Sequence, residues 1–108
     1  MAEGEIMNAR TMQLPRLVAG RDFADDMVNT FGSVRDQDVI VDGTSLLSGT
    51  PSFAAELVQQ LLVEGHARSL LLVGAPSDFA GYSSSAANDL GVFDRFELAD
   101  RFPHAAVS

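Results

Sequence analysis

The sequence predicts a small α/β sandwich with about four mostly parallel strands, covered mainly by three or more helices. Two short aliphatic runs, DVIVD at residues 38–42 and SLLLV at residues 69–73, are typical of buried strands. Between them, apolar residues recur at helical spacing from Phe53 to Leu62. Because helices of about 10 to 15 residues separate the strands, we expect parallel pairing through right-handed crossovers. We expect the run at 69–73 to be buried on both faces.

The first third of the chain predicts a strand followed by a helix. Residues 9–14 favour a strand, which a proline ends. Beyond it, an apolar side chain occupies every fourth position from Phe23 to Phe31, as in a helix. We expect this helix to begin near Arg21 and to end at Gly32. Its opposite face carries aspartates that we expect to be solvated or to steer a basic partner, namely Asp22, Asp25 and Asp26.

The stretch from residue 39 to residue 65 combines a strand, a polar loop and a helix. The strand ends at Asp42, and the loop after it contains two adjacent leucines. Thr50 suits the N-cap of the following helix and Pro51 suits its first position. Gly65 is expected to end that helix. The carboxyl end of a strand in an α/β sheet is a frequent place for a functional site.

The last third predicts a loop, a short helix and a final strand. We expect residues 77–83 to form a loop that leaves Phe79 and Tyr82 exposed or half-buried. Residues 84–90 are expected to form a short helix, which a glycine ends. The final strand is expected near residues 96–98. In this interpretation residues 1–8 are a flexible N-terminus, the domain covers 9–98 and the tail covers 99–108.

Composition excludes several classes of function. The formal net charge of −8 disfavours nucleic acid, which is bound through lysine and arginine. The chain has no lysine and no cysteine, which removes Schiff-base catalysis, the phosphate lysine of a P-loop, disulfides and thiolate metal sites. No apolar run approaches the roughly 18 residues that span a bilayer. We therefore expect a cytoplasmic protein that binds neither nucleic acid nor membrane and carries no cofactor.

Patterns of catalytic residues are also missing. Residues 43–50, GTSLLSGT, lack the lysine of a P-loop, and no G-x-S-x-G segment marks a nucleophile elbow. Asp42 has no second carboxylate nearby for a magnesium ion, so we expect it to accept hydrogen bonds from loop amides instead. His66 should follow a helix C-terminus, where an imidazolium is favourable, and His104 lies in the tail. We predict no catalytic residue and no metal site.

Hydroxyl side chains stand near the expected starts of two helices. One residue of the run Ser83–Ser85 is expected to cap the last helix. Ser52 lies in the first turn of the central helix, where free N–H groups and the helix dipole favour a phosphate. We favour the simpler interpretation, in which Thr50 and Ser52 themselves satisfy those N–H groups.

Three segments resemble the STAS and STAS-like domains, the family of sulfate-transporter and anti-sigma-factor-antagonist domains. VIVDGTSLLSGTPSFAAELVQQLL resembles the central strand, loop and helix of the family, in which a strand ends in Asp. SLLLVGAPSDF resembles its next strand and loop, and SSAANDLGVFDRFEL resembles its closing helix. The three matches occur in the family's order and cover roughly residues 37–98.

The resemblance implies a bacterial, non-enzymatic domain that regulates a protein partner, such as a kinase-like anti-sigma factor. It implies docking through loop 43–52 and the start of the central helix, with partner-binding residues Asp42, Thr44, Leu46, Leu47, Ser48, Pro51 and Phe53. In the family a serine at this helix start is phosphorylated, but Pro51 occupies that position here. Ser52 and Thr50 are therefore the candidate phosphorylation sites. We expect at least one of the two adjacent leucines to be buried.

Two other interpretations remain open. The start of the central helix could bind a small anion or a nucleotide, with Ser48, Gly49, Thr50 and Ser52 as the cradle. A homo-oligomer is also open, because a sheet of about four strands has edges that need cover.

Overall fold

Residues 9–101 are described by a computed structural model of the chain. The strands are β1 (Arg10–Gln13), β2 (Leu17–Val18), β3 (Asp38–Asp42), β4 (Ser48–Gly49), β5 (Ser69–Val73) and β6 (Phe96–Ala99). The helices are α1 (Arg21–Phe31), α2 (Pro51–Val58), which continues as a π-helix (Gln59–Glu64), and α3 (Ser77–Asp89), with a 3-10 turn (Phe93–Arg95) before β6. The predictions for residues 1–8 and for most of the tail, including His104, lie outside the described residues.

The main sheet has the order β1-β3-β5-β6, and every pair of neighbours is parallel. The predicted α/β class is confirmed. Strand order follows chain order, and right-handed crossovers then place all three helices on the same face of the sheet. On that face, the sheet and helices enclose the core, whose central side chains include Val41, Leu72, Phe53, Leu61 and Phe79.

None of the helices within residues 9–101 lies over the opposite face of the sheet. Register places Thr11, Ile40, Leu71 and Glu97 side by side on this face. The two central side chains are half-buried and the two outer ones are exposed. The prediction that residues 69–73 are buried on both faces is therefore wrong for Leu71. A continuous apolar run does not by itself show that both sides of a strand are covered.

Helix α3 differs most from the prediction. Its first turn begins directly after Pro76, so residues 77–83 are helical and do not form a loop. Phe79 was expected to be exposed or half-buried, but it is only 1% exposed. Its ring packs against that of Phe53 on α2, with 6.1 Å between the ring centroids. The run Ser83–Ser85 lies inside the helix and caps nothing. Glycine and serine have weak helix propensity, and packing of Phe79 against α2 overrides it here.

The other boundaries agree closely with the sequence. β3 and β5 have the predicted limits, α1 begins at Arg21, and α2 begins at Pro51 behind Thr50. The final strand extends one residue beyond its predicted limit. None of the helices in residues 9–101 is long and apolar enough to cross a bilayer.

Candidate functional site

A second, very small sheet organises the loop at the start of α2. β2 and β4 pair in parallel, with Leu17 opposite Ser48 and Val18 opposite Gly49. The amide of Leu47 also donates to the carbonyl of Arg16 over 2.7 Å. This two-stranded mini-sheet joins the segment before α1 to the segment before α2. No pattern in the sequence predicted this sheet, because each strand has only two residues.

The mini-sheet separates the two adjacent leucines. Leu46 is 4% exposed and belongs to the core, whereas Leu47 is 63% exposed. The expectation that at least one of them is buried is confirmed. Leu17, on β2, is 66% exposed and was not predicted as a site residue. We call Leu17 and Leu47 the leucine pair.

Asp42 shapes the first half of the loop. Its Oδ1 accepts hydrogen bonds from the amide of Thr44 at 2.9 Å and from the hydroxyl of Thr44 at 2.6 Å. Its Oδ2 accepts a longer bond, 3.3 Å, from the side-chain amide of Gln13. Burial raises the pKa of Asp42, but these hydrogen bonds to the carboxylate outweigh it and leave the pKa below its ordinary value. The carboxylate thus accepts a loop amide, as the sequence predicted.

Both ends of the loop pack closely against the core. A Cβ on Gly43 would lie 2.9 Å from the Cβ of Ala75, and the Gly43 amide donates to Val73 over 2.8 Å. A Cβ on Gly49 would lie 2.5 Å from the ring of Phe79. These positions have no room for a side chain, so the loop lies directly on β5 and α3.

The start of α2 has little capacity left for an anion. The Thr50 hydroxyl accepts the amide of Phe53 at 3.2 Å, and the Ala54 amide donates to the Thr50 carbonyl at 3.1 Å. Pro51 has no amide proton. The exposed Ser52 hydroxyl lies 3.2 Å from that of Thr50. Most donors that would bind a phosphate are therefore used within the chain, which favours the simpler interpretation of these hydroxyls.

The predicted partner-binding residues divide into two groups. The side chains of Asp42, Leu46 and Phe53 are buried, so they can act only by shaping the surface. The exposed members are Thr44, Leu47, Ser48 and Pro51.

A charged contact between α1 and α2 was missed by the sequence analysis. Arg21 lies 3.4 Å from Glu56, which also accepts a hydrogen bond from Gln60 at 3.0 Å. Asp25 lies against the same carboxyl group. Its hydrogen bond to Glu56, followed by burial and by repulsion from nearby carboxylates, raises the pKa of Asp25. No periodicity could reveal this contact, because it joins residues on two helices.

The described residues contain no group of three or more metal-ligating side chains of the His, Cys, Asp or Glu types. His66 is exposed and has a positive φ of 55° just after the π-helix. In comparisons with known proteins, no family model, no curated protein and no solved structure matches the chain.

Proposed function

We propose that this chain is a non-enzymatic regulatory domain that docks onto a protein partner through loop 43–52 and the start of α2. The observation that carries the proposal is the leucine pair. Leu17 on β2 and Leu47, one residue before β4, are each more than 60% exposed, and exposed apolar side chains at the predicted docking loop are available to a protein partner.

The surroundings of the leucine pair fit a docking role. The neighbouring Ser48 and Pro51 are exposed and uncharged, and Arg16 is the exposed charged residue next to Leu17. The resemblance to STAS domains supports the same location, and a kinase-like anti-sigma factor is the partner that it implies. A cytoplasmic location in a bacterial cell belongs to this proposal.

Ser52 is the better of the two candidate phosphorylation sites. The Thr50 hydroxyl accepts amide protons from Phe53 and from Gly20, so its modification would break contacts that hold two helix starts. The Ser52 hydroxyl is exposed in the first turn of α2. A phosphate there would add about −1.5 to −2 charges at a favourable end of the helix dipole. It would also place charge beside an apolar contact surface, which weakens docking.

Co-purification from a native lysate tests the proposal, with partners identified by mass spectrometry and their affinities measured by calorimetry. Leu17→Asp and Leu47→Asp together should reduce the affinity by roughly tenfold or more, since each removes an exposed apolar contact. Leu98→Asp is the matched control, because Leu98 is a similarly exposed leucine, 44%, on β6. The proposal fails if no protein partner is recovered, or if the double variant binds the partner as well as the Leu98→Asp control does.

A screen by thermal shift separates this function from anion binding. Stabilisation by nucleotides or phosphorylated metabolites at millimolar concentration, lost in Ser52→Ala, would favour the alternative.

A further inference from the structure

A groove beside β1 carries a second inference. It lies between β1 and α1 and has a volume of about 470 Å³, within the usual range for binding sites. Apolar side chains form much of its wall, and the exposed Phe23 and the half-buried Met27 and Phe31 are the main ones. Arg10 closes one end, where its guanidinium donates to the carbonyls of Phe31 and Ser33 over 2.6 and 2.8 Å.

The strand that lines this groove is an edge of the sheet. β1 pairs with β3 on one side, and none of the described residues pairs with it on the other. The amide of Leu14 donates to Asp42 of β3, so the alternate residues Met12 and Arg10 also face β3. The backbone N–H and C=O groups of Thr11 and Gln13 therefore point away from the sheet, toward the open edge. Such a row of groups is a template for another strand.

Charge decides which strand fits. The guanidinium of Arg10 also lines the groove, but it is held by two backbone carbonyls and lies 4.1 Å from the centroid of the Phe31 ring. Asp26 is exposed and lines the groove, and Asp22 is exposed one turn earlier on the same helix. A second copy of this chain paired through β1 would bring two such acidic helices together, each on a chain with a net charge of −8. A segment with basic side chains would instead meet opposite charge.

We propose that the groove between β1 and α1 binds an extended, basic segment of a partner protein, which adds to β1 as a fifth strand of the main sheet. Backbone hydrogen bonds to Thr11 and Gln13 would fix the register of the segment relative to β1. Apolar side chains of the segment would pack against Phe23 and Met27, and a lysine or arginine would pair with Asp26. This surface is separate from the leucine pair, and the inference does not depend on the proposed function.

The test uses a short synthetic peptide that alternates valine with lysine, titrated into the isotope-labelled full chain and followed by NMR. We expect amide shifts confined to β1 and α1 and slower hydrogen exchange at Thr11 and Gln13. The same peptide with glutamate in place of lysine should bind much more weakly. No binding of the lysine peptide at millimolar concentration, or shifts centred on Leu17 and Leu47, would overturn the inference.

Two pairs of variants distinguish strand pairing with β1 from non-specific electrostatic attraction between the peptide and the acidic chain. Thr11→Pro removes only an outward N–H, so the ladder to β3 should persist while the peptide affinity falls roughly five- to tenfold. Thr11→Val keeps the N–H and should bind as the wild type. Asp26→Lys should weaken peptide binding by about threefold or more. Asp89→Lys makes the same charge change at an exposed position of α3 and should not weaken it.

Each remaining outcome also decides the matter. If Thr11→Pro unfolds, the Asp26→Lys and Asp89→Lys pair still tests the charge requirement. If Asp26→Lys and Asp89→Lys weaken peptide binding equally, the attraction is electrostatic and non-specific, and the proposal of a specific groove is refuted. Protection of the Thr11 and Gln13 amides in the free protein would show that the N-terminal segment or a second copy already covers the edge, which would also refute it.

Discussion

Replacing Thr50 with valine removes a single hydroxyl that connects the starts of two helices. The Oγ1 atom accepts the Phe53 amide in α2 and the amide of Gly20, which is the N-cap residue of α1. Valine keeps the β-branched shape and loses both of these hydrogen bonds, together with the exposed contact of 3.2 Å to the Ser52 hydroxyl. No other described side chain accepts a proton from Gly20, so the change leaves that amide without its protein partner.

The size of the effect follows from these two bonds. An N-cap hydroxyl contributes about 1 kcal/mol, and a second hydrogen bond contributes about 0.5–1.5 kcal/mol. Both distances are 3.2 Å, at the long limit for such bonds, so we expect a total loss of about 1.5–2 kcal/mol. With roughly 4–8 °C per kcal/mol for a domain of about this size, the melting temperature should fall by about 6–16 °C.

Urea unfolding followed by circular dichroism measures this loss directly. The midpoint should fall for Thr50→Val while the slope of the transition stays unchanged, which shows that the same surface is exposed on unfolding. Thr50→Ser keeps the hydroxyl and is the control, with an expected loss below about 0.5 kcal/mol. If valine and serine destabilise the protein equally, the hydroxyl does not connect the two helices and the assignment of Thr50 as a structural cap is wrong.

Two further predictions concern packing and charge near the same helices. Gly49→Ala should destabilise the protein by about 1–3 kcal/mol, because the new methyl group would overlap the ring of Phe79. Gly81→Ala should stabilise it by about 0.5–1 kcal/mol, because Gly81 is a helical position on α3 where a methyl group would meet no other atom within 4 Å. Equal urea midpoints for the two variants would contradict this. Asp25→Asn should raise the melting temperature at neutral pH. The pKa of Asp25 beside Glu56 is raised in the folded state, so the folded state loses stability as the pH rises above the ordinary pKa of aspartate, about 3.9. The gain should shrink toward zero as the pH falls below that range, and a gain independent of pH would show that the two carboxyl groups do not interact.

Local signals in the sequence were sufficient for most of the fold. The aliphatic runs of β3 and β5, the cap at Thr50 and the glycine after α1 each act through neighbouring residues, so their positions could be predicted. The acceptor role of Asp42 followed from the same kind of local argument, since a carboxylate at a strand end readily accepts the amide two residues later.

The errors came from contacts between distant segments. Helix α3 contains four serines and one glycine, and it is stabilised by Phe79, whose partner Phe53 lies 26 residues earlier in the chain. The mini-sheet pairs residues about 30 positions apart and contains no recognisable strand pattern, which is why Leu17 was not predicted as a site residue. The face beside Leu71, which no described helix covers, follows from the order of the strands in the sheet, and no single strand encodes that order.

The anchoring of the loop has a consequence for the rate at which a partner could bind. Asp42 fixes its first turn, the mini-sheet holds its middle, and Thr50 ends it, so few backbone dihedrals remain free between β3 and α2. A partner that docks on the leucine pair would then meet a surface already in its bound shape, without first ordering a segment. Association should be a single step whose observed rate rises linearly with partner concentration, and differences in affinity among surface variants should be found mainly in the dissociation rate.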